Sequence, residues 1–184
     1  MLPKIDKLFT KKENKKISKK IHPEFDYLLK FDGCSKGNPG LAGAGAVIYY
    51  QDKEIWFDSF FVGEKSTNNH AEYAGLILGL QQAKFMDIQN LRVEGDSQLV
   101  INQMKGIYRC QSRLLLDLYD KAKELESFFE KIEYFHIYRK DNKRADQLAN
   151  IAVNQHLENE YIYEDIDYDD ETVVLNNQKH IPNK

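Results

Sequence analysis

Four acidic residues in this 184-residue chain stand where a carboxylate can do chemistry: Asp32, Glu72, Asp96 and Asp146. Asp32 follows Leu28-Leu29-Lys30-Phe31, and Asp96 follows Leu91-Arg92-Val93-Glu94-Gly95, so each closes an apolar run of strand character. Side chains at the carboxyl ends of central strands face the crevice where α/β sheets hold ligands. Glu72 and Asp146 each lie one turn inside a segment of helical period. Taken singly, each acid has an ordinary explanation. Acids favour the first turn of a helix because of its dipole, and Asp before Gly is common in turns. Taken together they form an all-oxygen donor set. Two unit charges about 4 Å apart repel by on the order of 4 kcal/mol at an effective dielectric near 20. Four carboxylates that converge must therefore be neutralised by cations or partly protonated. Oxygen donors without Cys or His select a hard ion, Mg²⁺ first and Mn²⁺ second.

The elements that must position these acids are legible from the pattern. Tyr27 to Phe31 reads as a buried strand ending at Asp32-Gly33. Ala44 to Tyr50 and Glu54 to Val62 read as two more strands joined by a Gln51-Asp52-Lys53 turn, an antiparallel meander. Asn69 to about Phe85 is a helix with Leu76, Leu80 and Ala83 on one face. Leu91 to Glu94 is a fourth strand, and Ser97 caps a helix through about Met104. Leu114 to Phe129 is a further helix, Ile132 to Arg139 a fifth strand, and Asn142 opens a last helix to about Gln155. This order predicts an α/β domain, a five-stranded mixed sheet with helices on both faces.

Charge divides the chain further. Residues 1–20 hold eight lysines against Asp6 and Glu13, while residues 157–184 hold eight acids against Lys179 and Lys184. A basic, disordered head over 1–24, a globular domain over 25–156 and an acidic, disordered tail over 157–184 are expected. No apolar run is long enough for a membrane span, and the first 24 residues contain no apolar core of a signal peptide. Two cysteines, Cys34 and Cys110, make neither a disulfide framework nor a four-ligand zinc site, so a reducing intracellular compartment, cytoplasmic or nuclear, is the expectation. Cys34 has no evident base partner and reads as a small loop residue.

The blocks around the four acids are themselves specific: FDGCSKGNPG, TNNHAEY, VEGDSQLV and RKDNKRADQLANIA. In this order and spacing, from about Glu24 to Gln155, the chain resembles type 1 ribonuclease H. The resemblance implies the ribonuclease H-like fold and a metal-dependent endonuclease that hydrolyses the RNA strand of an RNA–DNA hybrid. It implies a two-metal-ion mechanism with Mg²⁺ (Mn²⁺ as substitute), leaving 5′-phosphate and 3′-hydroxyl ends. Asp32 would bridge both ions, Glu72 and Asp96 would hold the leaving-group ion, and Asp146 would complete the nucleophile-side site. By motif, the substrate contacts are Gly33, Ser35, Gly37 and Asn38, then Thr67, Asn68 and Asn69, with Gln98 and Arg139. Telling RNA from DNA requires reading 2′-hydroxyls in the minor groove. The glycines would let backbone amides approach a ligand, whereas Thr67 also fits a plain helix cap. The expected partner is the hybrid, with no membrane and a monomeric protein.

Two features depart from familiar members. Between Arg139 and Asn142 only Lys140-Asp141 remains, too short for the histidine-bearing mobile loop, and His136 falls inside a strand-like run. The form resembles the short-loop branch of the family. The Lys/Trp-rich basic protrusion is also missing, so affinity would lean on Lys36, Lys105, Arg109, Arg113, Lys140, Lys143 and the basic head. Two further readings keep the fold: the same metals acting on double-stranded RNA, and a non-catalytic hybrid-binding adaptor.

Overall fold

A computed structural model describes residues 24–164. Five strands form one sheet in the order β3-β2-β1-β4-β5. β1 (Tyr27–Gly37) pairs antiparallel with β2 (Gly40–Tyr50), which pairs antiparallel with β3 (Lys53–Ser66). β4 (Asn90–Gly95) runs parallel to β1, and β5 (Lys131–His136) parallel to β4. The sheet is mixed, as the pattern predicts. The β2–β3 hairpin turns on Gln51 and Asp52, both at positive φ (46° and 67°). That pair of left-handed residues matches the right-handed twist of the flanking strands.

Alternation along the strands sends side chains to two helical layers. Leu29, Phe31, Ala46, Ile48, Leu91 and Val93 join the main core with α1 (Asn68–Phe85), α2 (Gln98–Met104) and α3 (Arg113–Glu126). Val47, on the opposite face of β2, packs with Ala145 and Leu148 of α4 (Lys143–Glu164). Helices on both faces are therefore observed.

Several boundaries differ from the sequence expectation: β2 begins at Gly40 and not Ala44, β3 runs to Ser66 and not Val62, α3 stops at Glu126 and not Phe129, and β5 stops at His136, the chain turning away before Arg139. Two more concern β1 and α4. β1 does not stop at Asp32-Gly33 but runs on to Gly37, because the small residues of Gly40 to Ala46 continue the β2 ladder beside it. Its pairing with β4, by contrast, ends at Lys30 opposite Glu94. The sheet thus forks just before Asp32: β1 stays with β2 while β4 terminates. The second difference lies in α4, which passes Gln155 and reaches Glu164, entering the segment expected to be a disordered tail. The Leu-Glu-Asn-Glu stretch there contains good helix formers and no breaker. The basic head up to residue 23 and the acidic segment 165–184 lie outside the described residues.

Helix α1 approaches β1 closely because each side of the contact contributes a glycine whose missing side chain leaves room for the other's backbone. A Cβ on Gly33 would lie 2.1 Å from Glu72 N, and one on Gly75 2.5 Å from Asp32 O. Backbone occupies both spaces, so neither neighbour can rotate away. Gly75→Ala should therefore destabilise the fold by about 1–3 kcal/mol, the usual cost of overpacking a filled interior. Urea denaturation measures it; a change below about 0.5 kcal/mol, the level of ordinary surface substitutions, would show that α1 can shift freely.

Candidate metal centre

The glycine contact has a direct consequence for the acids. Thr67 starts α1 by accepting a hydrogen bond from His70 N at 3.3 Å, and one turn later Glu72 lies over the Asp32–Gly33 segment of β1. Asp96, just beyond β4, arrives from the other side of the fork. Asp32, Glu72 and Asp96 each offer a carboxylate oxygen, and the three oxygens lie within 4.8 Å of one another. Asp32 and Glu72 are buried, at 4% and 5% exposure, and Asp96 is half-buried.

Burial and mutual repulsion set the electrostatics. Desolvation first, and the neighbouring Asp96 charge second, push the Asp32 carboxyl up to about 7. Glu72 is raised well above the ordinary carboxylate range by burial and then by Asp32 and Asp96. Few donors offset this. Gly33 N donates to Asp32 Oδ1 at 2.8 Å, Asn68 Nδ2 to Glu72 Oε1 at 3.4 Å, and Asn142 Nδ2 to Asp96 Oδ1 at 2.7 Å. Glu72 Oε2 is buried with no hydrogen-bond partner among the described residues. An all-oxygen cluster with one orphaned buried acceptor fits a hard divalent cation, which would supply the missing positive charge.

The fourth acid, Asp146, sits in the first turn of α4 and is engaged elsewhere. Arg139 donates to its Oδ1 from Nε (3.2 Å) and Nη2 (2.5 Å). Asp146 nevertheless lies near enough that its charge contributes to raising Asp32. The structure thus gathers three of the four acids tightly and holds the fourth at the margin through an arginine. Arg139 begins a single 3₁₀ turn, Arg139–Asp141, that links β5 to α4. His136 ends β5 with its ring nitrogen 3.2 Å from Asp96 O. It touches the backbone of the site, as a strand residue.

The residues proposed by motif for substrate contact fall into two sets. Ser35 and Asn38 belong to the β1–β2 hairpin region: Ser35 Oγ donates to Ser66 O at 2.8 Å, and Asn38 Oδ1 accepts from Asn68 N at 3.1 Å. These bonds fasten the hairpin to the start of α1. Gly37 turns the hairpin at φ 106°, and Asn69 and Gln98 are exposed at the beginnings of α1 and α2. A cavity of about 380 Å³ opens beside them, lined by Asn38, Thr67, Asn69, Gln103, Arg109 and Ser112, among others. Gly33 requires correction as a ligand-facing glycine: it is buried, and its missing side chain makes room for α1. Thr67 is observed as the cap. Cys34 lies within β1, not in a loop, and burial raises its thiol, so it is not poised as a nucleophile. Lys36, Lys105, Arg109, Arg113, Lys140 and Lys143 are all exposed.

The site residue that sequence reasoning missed is Asn142. It reads as a helix opener, yet its side chain is fully buried between the strands of the fork. Its place four residues before Asp146 is visible in the sequence, but its burial is not.

The acids' titration yields a sign-definite prediction. Because the folded Asp32 lies near 7 and the unfolded one near about 3.9, the metal-free fold holds a proton that the unfolded chain releases. That contribution to stability is fully present below about pH 4 and is lost as pH rises through about 7. The metal-free protein should melt at lower temperature at pH 8 than at pH 5, and Asp32→Asn should raise the melting temperature at pH 8. Thermal denaturation in chelator, with and without added divalent cation, checks this; a pH-independent melting temperature in the metal-free protein would contradict it.

Comparison with known proteins follows the same pattern. The family model described as reverse transcriptase-like matches residues 30–152. A bifunctional protein of Mycobacterium tuberculosis is 41% identical over 128 residues, covering 69% of this chain and 35% of that protein. Ribonuclease HI of Halobacterium salinarum is 37% identical over 124 residues, 67% of this chain and 62% of that protein. The chain therefore spans about a third of the mycobacterial relative and under two-thirds of the archaeal one. Among solved structures, LC11-RNase H1 in complex with an RNA/DNA hybrid superposes with a TM-score of 0.67 at 33% identity, covering 71% of this chain and 99% of that one. With the matched segment enclosing Asp32, Glu72, Asp96 and Asp146, the chain belongs to the type 1 ribonuclease H family.

Proposed function

We propose that this chain is an endoribonuclease that hydrolyses the RNA strand of RNA–DNA hybrids, leaving 5′-phosphate and 3′-hydroxyl ends. The observation that carries the reading is the cluster of Asp32, Glu72 and Asp96 with its orphaned Glu72 oxygen, in a chain of this family. A binding-only surface gains nothing from buried negative charges beside a phosphate backbone. The relative solved with an RNA/DNA hybrid supports the substrate class.

The residues divide the work. Asp32, Glu72 and Asp96, joined by Asp146, would hold two Mg²⁺ ions, with Mn²⁺ able to replace them, Asp32 being shared. When bound, such an ion pair activates the attacking water and stabilises the leaving oxygen of an in-line displacement at phosphorus. The protein's own part is to fix the acids and the substrate. The hairpin bearing Ser35, Gly37 and Asn38 and the start of α1 with Thr67, Asn68 and Asn69 present polar groups suited to ribose hydroxyls and backbone phosphates. Gln98 adds a groove contact from the start of α2. Arg139, whose side chain is three-quarters exposed at 74%, can exchange Asp146 for a phosphate once cations occupy the cluster. The scattered exposed lysines and arginines supply the salt-dependent part of affinity.

The test uses RNA labelled at its 5′ end and annealed to DNA, with Mg²⁺, Mn²⁺ or EDTA, beside duplex RNA and duplex DNA. Hybrid cutting should require the cation and fall on the order of a thousandfold in Asp32→Asn, the upper range for loss of one electrostatic stabiliser. Duplex DNA should be spared. Binding of the hybrid by folded protein without cutting would replace this reading with the adaptor.

A further inference from the structure

We infer that Asn142 is a positioning residue for the carboxylate cluster, its side-chain amide fixing Asp96 for cation binding from inside the fork between β1 and β4. The inference rests on the function proposed above, but its observations are separate. Asn142 is fully buried, and its Nδ2 donates both to Asp96 Oδ1 at 2.7 Å and to Phe31 O at 2.9 Å. Phe31 is the residue just past the last β1–β4 pair, Lys30 with Glu94, so the amide takes the place of a strand partner where the ladder parts. Both neighbours of Nδ2 are acceptors only. Turning the amide over would set its oxygen against a carbonyl and a carboxylate, so the orientation is determined.

The ordinary reading of an Asn at this position is a helix cap, and the bonding pattern does not fit it. A capping Asn accepts backbone amides of the first turn with its side-chain oxygen, whereas Asn142 Oδ1 has no hydrogen-bond partner among the described residues. The working atom is the donor. With one oxygen held, the Asp96 carboxylate cannot spin freely about its Cβ–Cγ bond, and a half-buried acid with no other hydrogen-bond donor among the described residues is kept ready for a cation. The same residue reaches Asp146 through the backbone, since Asp146 N donates to Asn142 O at 3.1 Å. Next to it, Lys30 Nζ donates to Asp141 O at 2.8 Å, a second tie between β1 and this loop. One buried amide thereby registers the acid after β4 against the acid of α4.

Asn142→Asp separates the two roles, because Asp caps a helix as well as Asn but presents an acceptor where the donor must be. Mn²⁺ titration of the full chain, followed by electron paramagnetic resonance, should show affinity reduced about 10–100-fold, the range for loss of an outer-shell partner of a metal ligand. On the hybrid, kcat should fall while KM stays within about twofold. A folded variant with wild-type Mn²⁺ affinity would overturn the inference. Should the variant not fold, the wild-type protein decides: the Asn142 side-chain amide resonances should shift on Mg²⁺ titration, and their staying fixed while those around Asp32 move would overturn it equally. Mn²⁺ binding that depends on Asn142 in a protein that cuts no hybrid would defeat the proposed activity and leave the positioning role standing.

Discussion

Mutual repulsion among Asp32, Glu72 and Asp96 is the constraint on which the rest of the structure turns. Two of these acids are buried and the third half-buried, which limits screening by water, and among the described residues three hydrogen-bond donors reach the three carboxylates. A fold that tolerates this must hold the acids rigidly by other means, since each would otherwise move apart or take a proton. Burial and neighbouring charge raise Asp32 and Glu72 together, as convergence of carboxylates away from water requires.

The rigidity comes from backbone, not from long side chains. Gly33 and Gly75 let α1 lie directly on β1, so the distance between Asp32 and Glu72 is set by main-chain contact. The fork in the sheet sets the distance between Asp32 and Asp96: β1 continues along β2 while β4 ends, and the gap between them is filled by the Asn142 amide. On the other face, α4 packs against β2 through Ala145, Leu148 and Val47, which places Asp146 at the margin of the cluster. There it meets Arg139 from the turn after β5, and this ion pair keeps a fourth negative charge compensated at the edge of the site. Each acid therefore comes from a different element, and each element is fixed against β1 or β2.

Much of this was legible in the sequence, and the parts that were not share a cause. Apolar runs mark the strands, and Leu76, Leu80 and Ala83 mark α1, because burial on one face leaves a periodic trace. The acids stand out because they follow such runs or sit one turn into a helix. What periodicity cannot show is how two elements touch. Gly33 reads as a turn glycine open to a ligand, and only packing reveals it beneath α1. The extension of β1 to Gly37 depends on the small residues of a partner strand. The pairing of Asp146 with Arg139 and the burial of Asn142 depend on where a short turn settles after the sheet has formed. The extra length of α4 is of another kind: favourable local propensity past Leu157 outweighed the acidic composition that suggested a tail.

The central claim, that three converging carboxylates form a cation site, is tested most directly by diffraction from crystals soaked in Mn²⁺, collected at the manganese absorption edge. The account predicts an anomalous peak among the carboxylate oxygens of Asp32, Glu72 and Asp96, absent after soaking Asp32→Asn crystals. Manganese bound only elsewhere on the protein, with the three acids unliganded at saturating cation, would contradict it.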